Sequence, residues 1–287
     1  MSMTTRIVLA AAYVILAPFI GGLLSGFDRV LTARMQGRRG PSPLQPFYDV
    51  KKLFSKELLV VNHLQGILIL SYLVLVIVTG FMFYMGFGLL LTIFVSSTAA
   101  MFLVLAGGST DSPYSSLGTQ REMLQMMASE PIELLAAVGF YMACGSFSTS
   151  DILMGSSPAI LKLPGMFIAL LVALTVKMRK SPFDLSTSHH AHQELVKGLT
   201  TEMMSDYLGV VEIAEWYENV FLLSLVALFF VSGGNVIGGI IAALAVWFLE
   251  ILIDNTSARV SWQNTLKVCW VATFILGGLN LLVLGLL

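Results

Sequence analysis

Eight apolar runs divide the sequence, and they constrain its fold more than any other feature. A helix satisfies its own backbone hydrogen bonds and crosses about 30 Å of hydrocarbon with about 20 apolar residues. Only 11% of the residues are charged, against about 25% in soluble domains. The sequence therefore predicts an all-α membrane protein of about eight transmembrane helices, forming one integral membrane domain over residues 1–287. The runs lie near residues 7–27, 64–85, 87–107, 130–147, 163–180, 219–232, 234–253 and 268–287.

Basic residues are concentrated in alternate loops. Of the 16 Lys and Arg residues, 14 fall in four loops, at 28–63, 108–129, 177–218 and 254–267. Only Arg6 and Lys162 lie elsewhere. Loops rich in Lys and Arg remain in the cytoplasm. We therefore expect a multi-pass protein of the cell membrane, embedded in the lipid bilayer, with large amphipathic loops in the cytoplasm and both termini outside.

Composition also argues against several functions. Cys144 and Cys269 lie in separate apolar runs without a CxxC spacing, so we expect packing roles for them and no metal. The formal net charge of -1 argues against a nucleic-acid partner. Basic residues, and no small-residue cleavage site, follow the first run, which indicates a retained helix instead of a signal peptide.

The first cytoplasmic loop combines a rigid turn with an amphipathic segment. Gly40-Pro41 and Pro43 predict the turn, and residues 45–56 predict a short helix at the membrane surface. A basic flank that binds anionic lipid is the simpler interpretation. The mixture of Gly, Pro, Gln, Tyr and Asp in this loop also allows a docking surface.

Three glutamates stand near the start of the fourth apolar run. The spacing of Glu122, Glu130 and Glu133 brings them roughly onto one face, provided that the helix continues through Pro131. Carboxylates near hydrocarbon are costly unless they are paired, protonated or hydrated, so they are candidates for a proton relay. The alternative is an interfacial ion pair with Arg121.

A second acidic stripe precedes the sixth run, at Glu212, Glu215 and Glu218. Acidic residues also stabilise a solvated helix start, which is the simpler interpretation of this stripe. Glu250 and Asp254 are four residues apart at the end of the seventh run, where Arg259 can neutralise either of them.

Three histidines lie within four positions in the 177–218 loop: His189, His190 and His192. On a helix only His189 and His192 share a face, which argues against a metal site. Proton exchange or hydrogen bonding suits them better, because the ordinary pKa of histidine is near 6.5.

Several ordered motifs resemble the NADH dehydrogenase subunit 1 family of respiratory complex I, over nearly the whole chain. They are Arg38-Arg39-Gly40-Pro41 with Gln45, Asp49, Lys51-Lys52 and Lys56-Glu57, the pairs Arg121-Glu122 and Glu130-Pro131, the box Pro182-Phe183-Asp184-Leu185, Glu194-Leu195-Val196 with Gly198 and Glu202, and the stretch from Arg259 to Trp270.

One segment differs from the quinone-reducing members of this family and indicates a particular subgroup. Residues 186–193 read Ser-Thr-Ser-His-His-Ala-His-Gln, where quinone-reducing members carry an acidic run. The pattern is similar to the membrane subunit of Ech-type energy-converting nickel-iron hydrogenases. That resemblance implies coupling of a ferredoxin-oxidising, hydrogen-evolving arm to proton or sodium translocation. The implied partners are the hydrogenase large and small subunits, an antiporter-like membrane subunit and, indirectly, ferredoxin.

The resemblance implies no cofactor in this chain, with iron-sulfur clusters and the nickel-iron centre in partner subunits. It implies two groups of functional residues. The proton path comprises Glu130, Glu133, Glu194, Glu202, Glu212 and Glu215. Docking and redox-linked coupling involve Arg38, Arg39, Asp49, Lys52, Asp184, His189, His190 and His192.

Three other functions stay open from the residues. The first is the quinone-binding membrane subunit of a complex I-type NADH dehydrogenase. The second is a stand-alone transporter, although no pair of Gly- or Pro-broken helices suggests inverted repeats. The third is a passive scaffold with acidic residues at the membrane interface.

Overall fold

The computed structural model describes residues 2–57, 62–186 and 197–286, and every regular element in these ranges is helical. The all-α prediction is confirmed. In chain order the α-helices are α1 (Met3–Met35), α2 (Gln45–Leu53), α3 (His63–Met85), α4 (Leu89–Gly108), α5 (Pro113–Cys144), α6 (Thr149–Leu153), α7 (Pro164–Lys177), α8 (Asp206–Leu228), α9 (Val236–Thr256) and α10 (Trp262–Leu286). Helix α10 contains a π-helical segment at Ala272–Gly278.

The predicted apolar runs coincide with long helices, but several boundaries differ. Helix α5 begins upstream of the predicted run and continues through Pro131, and α8 begins well before residue 219. The short helix predicted in the first loop is confirmed as α2, which ends at Leu53, and its place at the membrane surface stays a prediction. Within the described ranges, five helices are long and apolar enough to cross a membrane: α1, α3, α4, α9 and α10. The count of eight crossings stays a prediction.

The four basic loops lie together at one end of the helices. The hydrogen bonds between them include those from Asn62 to the Ser109 carbonyl (2.9 Å), from Ser205 to the Lys56 carbonyl (2.8 Å) and from the Ser181 amide to Asp254 (2.8 Å). At the other end, Lys162 donates to the Ala143 carbonyl and Asn280 donates to the Lys162 carbonyl. The helices thus separate the basic loops from Lys162. Which end faces the cytoplasm stays a prediction.

The distribution of polar and apolar side chains on the helices is the reverse of that in a soluble protein. Large apolar side chains such as Ile15, Ile241 and Phe274 are more than 60% exposed on α1, α9 and α10, while the carboxylates of Glu133 and Glu250 are buried inside. Exposed apolar patches of this extent indicate an apolar environment. The helix faces therefore match a lipid bilayer, as expected for a multi-pass membrane protein.

Helix α8 lies at the centre of the fold and packs against α1, α3 and α9. Its closest approach to α1 is at Gly21, where an added Cβ would lie 2.4 Å from the Trp216 carbonyl oxygen. Small residues allow membrane helices to pack backbone to backbone. The positions of the α8 carboxylates relative to α1 therefore depend on this glycine.

We expect Gly21→Ala to lower the unfolding free energy by about 1–3 kcal/mol, because the added methyl group pushes α1 away from α8. The measurement is the melting temperature of the detergent-purified protein. Gly238→Ala in α9 is the matched control, since its added Cβ would meet only the Phe230 carbonyl oxygen, at an ordinary 3.6 Å. Equal melting temperatures in the two variants would show that the α1–α8 contact is not tight.

Candidate functional site

A buried arginine between two carboxylates forms the centre of the site. Arg179, in the turn after α7, contacts Glu122 of α5 at 3.0 Å and Glu215 of α8. The Arg179 and Glu122 side chains are only 11% and 10% exposed. Because charges inside a protein are costly unless paired, each ion stabilises the others in the charged state. The arrangement joins α5, α8 and the α7 turn.

A second buried ion pair lies deeper along the same helices. Lys177, at the end of α7, contacts Glu133 of α5 at 3.0 Å, and their side chains are 6% and 2% exposed. Glu133 lies about three turns beyond Glu122 on α5, so both face the interior. Glu130 is half-buried on the same helix and interacts electrostatically with Lys177. Since α5 continues through Pro131, the predicted condition for a shared face is met.

Two small cavities adjoin these ion pairs. One, of about 20 Å³, touches Tyr72, Glu122, Lys177 and Glu218, among other residues. The other, of about 40 Å³, is lined by Lys177, Met178, Arg179, Glu215, Glu218 and Asn219. A polar cavity of about 10–15 Å³ already accommodates a water molecule. The two cavities are therefore large enough for water to link the carboxylates. Tyr72 donates a hydrogen bond to Glu218 at 2.9 Å and closes one side.

The first loop approaches the buried network through α2. Asp49 contacts Arg29 of α1 at 2.7 Å, and it accepts a hydrogen bond from Gln45 at 2.9 Å. Partial burial raises the pKa of Asp49, but these two hydrogen bonds, together with the positive charges of Arg29 and Lys52, hold the pKa below its usual value. Glu212 of α8 interacts electrostatically with both Arg29 and Asp49. Glu212 therefore connects the loop to Glu215, one turn further along α8.

The predicted docking arginines line an open cavity of about 770 Å³ at the end of α1. Arg38 and Arg39 form part of its wall together with Arg34 and Pro41. Arg38 donates to the Gln36 side chain at 2.9 Å. Lys52 lies exposed in the last turn of α2. The structure thus places these basic residues on an accessible surface and separates them from the buried ion pairs.

Asp184 is buried and contacts Arg259 at 3.3 Å. The sequence favours Glu250 or Asp254 as the partner of Arg259, so the structure gives this arginine a different contact. The ion-pair partner of Glu122 also differs from Arg121, the alternative that the sequence offered. Its ion-pair partner is Arg179, while Arg121 donates to the Leu185 carbonyl at 3.4 Å.

The remaining predicted residues are only partly covered. Glu202 is half-buried, just after the 3₁₀ turn Gly198–Thr200. Glu194, His189, His190 and His192 lie outside the described residues. In the part of the chain that the structure describes, no group of three or more His, Cys, Asp or Glu side chains is placed to hold a metal ion.

Sequence reasoning missed Lys177, Arg179 and Tyr72 as members of the site. Charge counting assigns the two cations only to a basic cytoplasmic loop. The sequence signal that could have identified Lys177 and Arg179 is their position at the end of an apolar run. A cation that is drawn into such a run requires a carboxylate partner from another helix.

The fold and the site define a class of protein: a multi-pass membrane subunit with a network of ionisable side chains in its interior. The chain belongs to the NADH dehydrogenase family, whose sequence profile matches residues 7–285. This family consists of membrane subunits of oxidoreductase complexes. The resemblance to this membrane subunit of complex I is confirmed.

Relatives fall into two groups. The corresponding subunit of the NADH-quinone oxidoreductase of Syntrophotalea carbinolica is 28% identical, with 95% of this chain and 90% of that protein covered. Two Escherichia coli proteins represent hydrogenase complexes. Hydrogenase-4 component C is 27% identical over 91% of this chain and 87% of its own length, and formate hydrogenlyase subunit 4 is 26% identical over 88% and 90%.

A solved structure confirms the fold. A chain of the archaeal membrane-bound sulfane sulfur reductase, a respiratory membrane complex, matches with a TM-score of 0.84 and 21% identity. The match covers 97% of this chain and 99% of that one.

We expect Lys177→Met to lower the unfolding free energy by about 3 kcal/mol, because it leaves the Glu133 carboxylate buried without its cation. Adding Glu133→Gln should recover most of that loss, since no uncompensated charge then remains. Melting of the purified single and double variants measures both effects. A double variant that is no more stable than Lys177→Met would show that the two side chains are not energetically coupled.

Proposed function

We propose that this chain is the membrane subunit of an energy-converting nickel-iron hydrogenase complex. In this proposal it docks the ferredoxin-oxidising, hydrogen-evolving arm and couples that arm to proton or sodium translocation. The iron-sulfur clusters and the nickel-iron centre belong to the partner subunits, and this chain contributes no cofactor. The proposed partners are the hydrogenase large and small subunits and an antiporter-like membrane subunit.

The contact of Arg179 with both Glu122 and Glu215 carries the coupling part of the proposal. A single guanidinium stabilises both carboxylates only while it reaches both. If Arg179 shifts towards one of them, the other loses its cation and its charged form becomes unfavourable. That carboxylate then takes up a proton from water, and it releases the proton when Arg179 returns. A displacement of the turn after α7 would thereby produce proton uptake and release.

The proposed path continues from this centre in two directions. Towards the first loop, Glu212 lies one turn from Glu215 and interacts with the Arg29–Asp49 pair. Towards the interior, the two cavities are lined by Glu218 and by Lys177, and Lys177 contacts Glu133. We place Glu130, Glu194 and Glu202 in the same path. The docking residues are Arg38, Arg39, Asp49, Lys52, Asp184, His189, His190 and His192.

Two observations support a hydrogenase complex as the partner. Hydrogenase-4 component C and formate hydrogenlyase subunit 4 align with 91% and 88% of this chain. The Ser-Thr-Ser-His-His-Ala-His-Gln segment at residues 186–193 resembles the Ech-type subunit. With the basic loops towards the cytoplasm and both termini outside, the exposed arginines of the first loop would face the soluble arm.

A second candidate is the quinone-binding membrane subunit of a complex I-type NADH dehydrogenase. The relative from Syntrophotalea carbinolica favours it, because that protein belongs to a NADH-quinone oxidoreductase. The open cavity of about 770 Å³ beside Arg38 and Arg39 has room for a head group. In this function the same carboxylates would respond to quinone reduction.

Purification of the tagged chain from native membranes distinguishes the two candidates. We expect a nickel-iron hydrogenase pair to co-purify and reduced ferredoxin to drive hydrogen evolution. Recovery of NADH- or quinone-linked subunits without that activity would favour the quinone function. Recovery of the chain alone would contradict both candidates and would favour a stand-alone transporter.

We expect Glu130→Gln and Glu202→Gln each to abolish ion translocation and leave complex assembly intact. The amide keeps the size of the side chain but does not bind and release a proton. Ion uptake into liposomes that contain the complex measures the effect. Glu57→Gln is the control, because Glu57 is exposed at the end of the α2 loop. Unchanged pumping removes the tested residue from the path, and unchanged pumping in both variants favours a passive scaffold.

A further inference from the structure

Glu250 is a buried carboxyl group that the proposed path does not use. It lies within the apolar helix α9 and is 0% exposed. Neither carboxyl oxygen has a hydrogen-bond partner among the described residues. The nearby Thr175 hydroxyl donates instead to the Leu171 carbonyl, at 3.0 Å. Burial of an ionised carboxylate without a partner is costly, so a structural role alone does not account for this side chain.

The cation that acts on Glu250 is engaged elsewhere. Lys180 contacts Asp28 of α1 at 2.8 Å, and their side chains are 10% and 26% exposed. Lys180 and Asp254 both interact electrostatically with Glu250. Asp254 accepts a hydrogen bond from the Ser181 amide at 2.8 Å. One ammonium group therefore lies within the influence of two carboxyl groups and pairs with only one.

We infer that Glu250 is a proton-binding group and that Lys180 controls its charge by pairing with either Asp28 or Glu250. While Lys180 contacts Asp28, Glu250 keeps its proton. When the Lys180 ammonium moves to Glu250, the O–H bond of that carboxyl breaks and the proton passes to Asp28, which has lost its cation. Lys180 stays charged throughout, and the net charge of the three groups does not change.

The position of Lys180 links this group to the Arg179 centre. Arg179 reaches Glu122 and Glu215, while the next residue reaches Asp28. Displacement of the turn after α7 therefore acts on both sets of carboxyl groups together. A role for Glu250 in translocation rests on the proposed function. Its protonation does not, because that follows from burial and from the Lys180–Asp28 contact.

Infrared difference spectra of the purified native complex, recorded between two pH values, test the protonation directly. We expect the wild type to show the carbonyl stretch of a protonated buried carboxyl group, and Glu250→Gln to lack that band. Glu57→Gln is the matched control and should retain it, because Glu57 is exposed. Persistence of the full band in Glu250→Gln would overturn the assignment.

Two further variants test the control by Lys180. With Lys180→Met, no ammonium is present to pair with Glu250, so the band should persist to higher pH. With Asp28→Asn, Lys180 is free to pair with Glu250, so the band should disappear at lower pH. We expect the two titration midpoints to move in opposite directions, each by at least about one pH unit. Midpoints that stay in place, or move in the same direction, would contradict the inference.

The infrared and transport results are independent. If the complex lacks ferredoxin-dependent hydrogen evolution but the Glu250 band behaves as expected, the proposed function fails and the proton-binding group remains. If hydrogen evolution and pumping are present but the band is missing from the wild type, the inference fails alone.

Discussion

The interior of this protein depends on one constraint, that an ionised side chain among apolar helices needs an ionised partner. Arg179 meets this requirement for Glu122 and Glu215 at once, and Lys177 meets it for Glu133. Each contact joins residues from different helices or turns. The ion pairs therefore fix the positions of α5, α7 and α8 relative to one another, and a change in one pairing alters the energy of the others. Structure and chemistry depend on the same contacts.

Much of the fold was predictable, because the bilayer imposes a simple rule on sequence. Apolar runs of about 20 residues indicate helices, and alternating basic loops indicate which ends lie together. The structure agrees on both points. Boundaries were less predictable where a helix leaves the apolar region. Helix α5 extends upstream to Pro113, through polar residues that periodicity alone does not assign to a span.

The sequence identified several of the carboxylates in the candidate site, but it did not identify the cations that pair with them. Spacing placed Glu122 and Glu133 roughly on one face of one helix, and both are buried along α5. No local pattern connects Glu122 to Arg179, because 57 residues separate them. Arg121, the neighbour in sequence, was the alternative partner that the sequence offered. Glu250 and Lys180 show the same limit, since the Asp28 that contacts Lys180 belongs to the first helix. Ion pairs between helices depend on how the helices pack, and residues close together in the sequence do not reveal that packing.

The segment after α7 has a mechanical consequence beyond its charges. Residues 181–184 are attached to the last turn of α9 and the loop after it at three points: the Ser181 amide to Asp254, the Val260 amide to the Pro182 carbonyl, and Arg259 to Asp184. Three attachments over four residues leave little freedom for independent movement. When this segment moves, the end of α9 and the start of α10 must move with it or the contacts must break. A displacement of the segment next to Arg179 therefore involves α9 and α10, whose large apolar side chains such as Ile241 and Phe274 are exposed.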